Sequence, residues 1–138
     1  MPSQSKKPSV AGVAERALEV GIAQVRPGAS LHDIGAAIEE YAREQGCSVV
    51  RDFGGHGIGR RMHMAPHVPH HRSPTPGPRL VPGMCFTIEP MVCLGASRVR
   101  VLADGWTVVT VDGSLSAQAE HTILVTEQGA EVLTRAPE

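Results

Sequence analysis

His56 stands in Gly54-Gly55-His56-Gly57-Ile58-Gly59-Arg60, where four glycines let the backbone approach a ligand closely and leave the imidazole unobstructed. Taken alone, a histidine in such a loop is more often solvated or bonded to backbone than a ligand. Glu89 adds context: in Phe86-Thr87-Ile88-Glu89-Pro90-Met91 a carboxylate interrupts an otherwise apolar strand, and period-two alternation puts Phe86 and Ile88 on the opposite face. Burying an ionised carboxylate is costly unless it is paired or bound to a metal, so a structural ion pair and a site role both account for it. Glu120 repeats the pattern within Ser116-Ala117-Gln118-Ala119-Glu120-His121-Thr122-Ile123. One imidazole and two carboxylates form a borderline-hard donor set suited to Mn, Fe, Co or Zn, without the thiolates of a structural zinc site. His63, seven residues beyond His56, can reach the same cleft as a hydrogen-bond donor or proton carrier. His67, His70 and His71 sit in a polar, proline-containing loop and read as exposed side chains without a role.

The elements that must position these groups divide into helices first and strands after. From Val10 to Val25, Ala14, Leu18, Ile22 and Val25 recur at helical spacing with Glu15, Arg16 and Glu19 between them, and Arg26-Pro27-Gly28 stops the run. Ser30 is the expected cap of a second helix, with Asp33 at its positive end, a stripe of Leu31, Ile34, Ile38, Tyr41 and Ala42, and Gly46 at its close. Ser48-Val49-Val50 opens a strand, and Gly54 to Gly83 reads as a long loop. Met84 to Val92, Val99 to Leu102, Trp106 to Thr110, Leu115 to Thr126 and Glu131 to Thr134 are rich in β-branched residues and separated by Asp104-Gly105, Asp112-Gly113 and Gln128-Gly129. The order predicts an α+β layer with two helices on an antiparallel sheet.

At 138 residues and 41% apolar, the chain suits one packed core. A net charge of -1 gives no overall pull toward nucleic acid or anionic membrane, and no stretch approaches the length of a membrane span. Three cysteines, Cys47, Cys85 and Cys93, are an odd set without paired spacing, which favours a reducing cytoplasm over a secreted disulfide framework. Residues 1–9 are polar with two prolines and read as a disordered lead-in to a domain spanning 10–138.

The separate strings also occur in a known order: Gly55-His56-Gly57-Ile58-Gly59-Arg60, His63 followed by Pro66, Gly83-Met84-Cys85-Phe86-Thr87-Ile88-Glu89-Pro90-Met91, Asp104-Gly105-Trp106-Thr107, and Ser116-Ala117-Gln118-Ala119-Glu120-His121-Thr122. Together they resemble type I methionine aminopeptidases, from about Ala14 to Thr134. The resemblance implies the C-terminal half of a pita-bread metallohydrolase, in which two related halves face each other across a site that removes the initiator methionine from new proteins. It places His56, Glu89 and Glu120 on metal ligands, with Glu89 also taking a proton from water. It places His63 on a histidine that contacts the scissile amide and stabilises the tetrahedral intermediate, and Trp106 in the methionine pocket.

The same resemblance implies a first half, bearing two aspartate ligands, another histidine and much of the pocket, that is not in this chain. Asp33, Asp52, Asp104 and Asp112 do not match those aspartates. Met62 stands where the family often has phenylalanine against the substrate, and Ala119 where a bulky aromatic commonly precedes the glutamate. Where the complete family binds two ions of Co, Mn, Fe or Zn, this chain is expected to hold at most one firmly and to be weakly active or inactive alone. An apolar sheet face left without its partner half implies a homodimer, pairing with a separate N-terminal half, or poor solubility. A noncatalytic peptide-binding or dimerising fragment, and an incomplete reading of a longer gene, stand as the alternatives to an enzyme acting on the N-terminal methionine of nascent polypeptides.

Overall fold

Ser9 starts the first helix: its hydroxyl accepts from the N–H of Gly12 at 3.1 Å, one of the donors a helix N-terminus leaves unpaired. The computed structural model describes residues 9–136, so the rest of the expected lead-in lies outside the described residues. Helix α1 spans Val10–Ile22 and buries Val13, Ala14, Ala17 and Leu18 along one side. It ends before Val25, with the N–H of Ala23 returning to the carbonyl of Glu19, while Val25 is buried in the turn that follows.

Helix α2 spans Asp33–Glu44, and its entry differs from the expectation. Ser30 does not cap it; His32 occupies that position without a side-chain bond, because Ser30 pairs with Arg79 in an isolated bridge. Asp33 reaches back instead, its Oδ2 accepting from the N–H of Ser30 at 3.2 Å across the turn that leads into the helix. The apolar stripe then packs as its spacing requires, with Leu31, Ile34, Ile38 and Ala42 buried and Tyr41 half-buried.

Among the described residues ten short strands follow: β1 Ser48–Val49, β2 Gly55–Gly57, β3 Met64–Val68, β4 Cys85–Ile88, β5 Met91–Cys93, β6 Val99–Val101, β7 Val108–Thr110, β8 Ser116–Gln118, β9 His121–Thr126 and β10 Gly129–Val132. They form a five-stranded sheet in the order β10-β9-β4-β2-β3, a three-stranded sheet β1-β5-β8, and the hairpin β6-β7, every pair antiparallel. Helix α1 packs on α2 and lies over β4, β5 and β8, while α2 meets β1. Phe86, Ile88, Val92, Ile123 and Val125 complete one core with the helices. Each such fully buried side chain contributes roughly 1.5–3 kcal/mol relative to exposure.

Two expected long strands are each broken once. Met84 to Val92 splits at Glu89-Pro90, where proline has no N–H for the ladder, and Leu115 to Thr126 splits at Ala119-Glu120. The register is the same on both sides of the break: Ile88 faces His121 before it and Met91 faces Gln118 after it. The paired strands thus pass together from the five-stranded sheet into the three-stranded one, and the N–H of Ala119 still reaches the carbonyl of Pro90 at 3.4 Å. The stretch expected as one long loop contains β2 and β3. A β-carbon on Gly55 would strike the carbonyl of Thr87, and one on Gly57 the carbonyl of Ala65, so only glycine lets β2 fit between its neighbours. Strand β7 starts later than expected because Trp106 and Thr107 are held in the preceding turn, both N–H groups donating to Asp104.

Candidate metal centre

Because the register carries through the break, Glu89 falls directly opposite Glu120. Two carboxylates facing each other across paired strands repel, and the arrangement calls for a positive charge or a shared proton. Glu120 shows the effect: its pKa is pushed above the ordinary carboxylate value by loss of solvation and by the charge of Glu89, with His56 and His63 partly opposing. Its side chain nevertheless keeps substantial contact with solvent.

His56 enters from β2, the strand beside β4. Its Nδ1 lies 3.0 Å from the carbonyl of Gly57, and since a carbonyl only accepts, that contact puts the proton on Nδ1. In the neutral ring Nε2 turns a lone pair toward Glu89 Oε2, 3.7 Å away. Two acceptors face each other across a gap too long for a direct hydrogen bond. A cation resolves both this opposition and the one between the carboxylates, and an imidazole held by its other nitrogen is the usual form of a histidine ligand. His56, Glu89 and Glu120 therefore fit a divalent cation in donor chemistry. Among the described residues no three His, Cys, Asp or Glu side chains are gathered tightly enough to hold an ion as they stand, so binding requires side-chain movement.

His63 lies on the exposed loop between β2 and β3, its ring centroid 4.2 Å from that of His56 with the planes tilted by 43°. The structure thus brings His56, His63, Glu89 and Glu120 together. Met62, on the same loop, is 69% exposed, and Trp106 is 84% exposed. Trp106 lines a separate cavity of about 550 Å³ with Val50, Cys93, Met91 and Gln118. The last two form a cross-strand pair, each two residues from a site carboxylate, so the cavity begins where the strands leave the break.

Two residues that hold the site were missed in the sequence. Thr87 shares a face with Glu89, and alternation alone would have found it; its hydroxyl donates to Glu89 Oε2 at 2.8 Å and accepts from the N–H of His56 at 3.0 Å. His70 is a correction. Expected exposed and idle, it is 1% exposed, and its Nε2 accepts from the backbone N–H of Glu89 at 3.1 Å. Burial, assisted by His67 and His71, lowers its pKa from the ordinary 6.5 to about 3, so it is a neutral acceptor. No local signal distinguishes it from exposed His67 or half-buried His71.

A family model, metallopeptidase family M24, matches residues 3–127. The chain belongs to metallopeptidase family M24. Methionine aminopeptidase A of Synechocystis sp. is 56% identical over 122 residues, covering 88% of this M24 chain and 48% of the relative. Methionine aminopeptidase of Salmonella typhimurium is 53% identical over 133 residues, covering 93% and 50%. The crystal structure of methionine aminopeptidase from Rickettsia prowazekii aligns with a TM-score of 0.86 at 49% identity, over 89% of this chain and 50% of that one. The M24 chain spans about half the length of the relatives it matches. Its α+β architecture matches pita-bread M24 enzymes over that half, as the sequence reading expected. A prolidase from Pyrococcus furiosus, 22% identical with a TM-score of 0.65, shares the fold. Among the described residues of this M24 chain no helix is long and apolar enough to cross a membrane.

Proposed function

We propose that the chain supplies the C-terminal half of a methionine aminopeptidase site, acting in the cytoplasm on the N-terminal methionine of nascent polypeptides. The observation that carries this reading is Glu89 set opposite Glu120 with the free nitrogen of His56 beside them. These three residues would hold one divalent ion of Mn, Fe, Co or Zn. When bound, the ion supplies Lewis-acid polarisation of the scissile carbonyl and acidifies water. Glu89 accepts the proton that the attacking water gives up; its Oε1 is the oxygen not taken by Thr87. His63, exposed beside His56, donates to the oxygen on which negative charge develops. The cavity between Met91, Gln118 and Trp106 receives the methionine side chain, with Met62 at the rim of the His63 loop.

A complete site needs the complementary half of an M24 domain, on the same polypeptide or supplied by a second chain. Half-length coverage of the relatives supports this, as do the exposed apolar side chains Val101, Trp106, Val108, Val111 and Leu115. The test is methionine release from a Met-Ala-type peptide with Mn, Fe, Co or Zn, by the chain alone and after mixing with the complementary half of a relative. Little release alone, a rise on mixing and its loss in Glu89→Ala are the expected results. No release under any condition, with peptide still bound, would mark a noncatalytic binding module and overturn the proposal.

A further inference from the structure

The hydrogen bond that the backbone N–H of His56 sends toward β4 does not end on a carbonyl, as in an ordinary ladder. It ends on the Thr87 hydroxyl, at 3.0 Å. A hydroxyl has one proton, and with its oxygen accepting from His56, that proton is directed to Glu89 Oε2 at 2.8 Å. Glu89 Oε2 in turn faces Nε2 of His56 at 3.7 Å. The three residues close a ring that starts on the backbone of His56 and returns to its side chain. Thr87 is 2% exposed, which removes water as a competitor for either bond. Its place is fixed by β4 pairing, where Thr87 faces Thr122, and by the close approach of Gly55 to its carbonyl.

We propose that Thr87 is a positioning residue that sets the distance between His56 and Glu89 and so prepares them to share a cation. The inference rests on the proposed metal-binding role of those two residues and adds what holds them in place. It assigns the hydroxyl, rather than the bulk of the side chain, as the working group, so valine and serine separate the two contributions. Valine keeps the shape and β-branching and removes both hydrogen bonds; serine keeps both bonds and removes a methyl.

The experiment titrates the full chain with Mn²⁺ by calorimetry and determines metal-free crystal structures of the wild type, Thr87→Val and Thr87→Ser. Thr87→Val is expected to weaken Mn²⁺ binding about 10- to 100-fold, the usual effect of removing a group that orients a ligand, and to let the Glu89 carboxylate turn away from His56. Thr87→Ser is expected to stay within about threefold of wild type and to keep the ring. Backbone amide exchange should accelerate at His56 in the valine variant and stay unchanged at Ile38 and Val125, which a general loss of stability would move as well. If the valine variant does not fold, Thr87→Cys, whose thiol is a poor donor, takes its place. A wild-type chain that binds no Mn²⁺ would count against the metal-site reading, and the Glu89 position and His56 exchange would still judge the role of Thr87. Thr87→Val with wild-type affinity and an unmoved Glu89, or Thr87→Ser as impaired as valine, would overturn it.

Discussion

His70 accepts the backbone N–H of Glu89, so a buried imidazole two residues past the end of β3 holds the chain where β4 gives way to β5. Glu89 is held at both ends, its amide by His70 and its carboxylate by Thr87.

Removing the acceptor should cost more than removing the ring. His70→Leu leaves the N–H of Glu89 buried without a partner and is expected to lose about 1–3 kcal/mol, read as a lower midpoint in urea unfolding. His70→Gln can place an oxygen near the position of Nε2 and should lose less. Equal losses in the two variants would show that packing, not the hydrogen bond, is what His70 provides.

Gly55→Ala tests the crowding at β2. Its β-carbon meets a backbone carbonyl that cannot swing aside, so destabilisation of about 3 kcal/mol, at the upper end for overpacking, is expected in thermal unfolding. Gly46→Ala, where nothing crowds the position, is strained only by its φ of +74° and should cost less.

Divalent cations should stabilise the chain by mass action. At a free Mn²⁺ concentration about 100 times the dissociation constant, the increment is about 2.7 kcal/mol, visible as a rise in Tm that a chelator reverses. Glu89→Ala and Glu120→Ala should each diminish it, and an undiminished increment in both would place the binding elsewhere.

Asp112 gives a pH dependence away from the site. Its carboxylate accepts from the N–H groups of Ser114 and Ala96, both at 2.9 Å, joining the loop before β6 to the loop before β8. Those bonds from Ser114 and Ala96 lower its pKa from 3.8 to about 2. A lowered carboxylate pKa stabilises the folded state fully above 3.8, and the contribution is lost as pH falls from 3.8 toward 2. Amide exchange at Ala96 and Ser114, corrected for intrinsic rates, should lose protection across that window. Asp112→Asn should show less protection than wild type at pH 5 and no further loss across the window.

Much of this candidate site is legible in the sequence, because its signals are local. Carboxylates at Glu89 and Glu120 stand out against apolar neighbours, the glycines around His56 mark a close approach, and the helical stripes name the buried faces of α1 and α2 correctly. What could not be read depends on which strand lies beside which. Strands β2 and β3 are hidden among glycines and prolines because their stability comes from pairing, β2 with β4 and β3 with β2, rather than from β propensity. His70 looks like His67 and His71 until the chain returns to place it against Glu89. The break at Pro90 had a sequence cue; the matching break at Ala119-Glu120 had none, since it follows its partner.

That double break couples the two carboxylates mechanically. Each lies on the fold line between the same two sheets, so a change in the angle between those sheets moves both glutamates together, however far away the change begins. A substitution that tilts one sheet against the other would therefore shift both acids at once without touching either one.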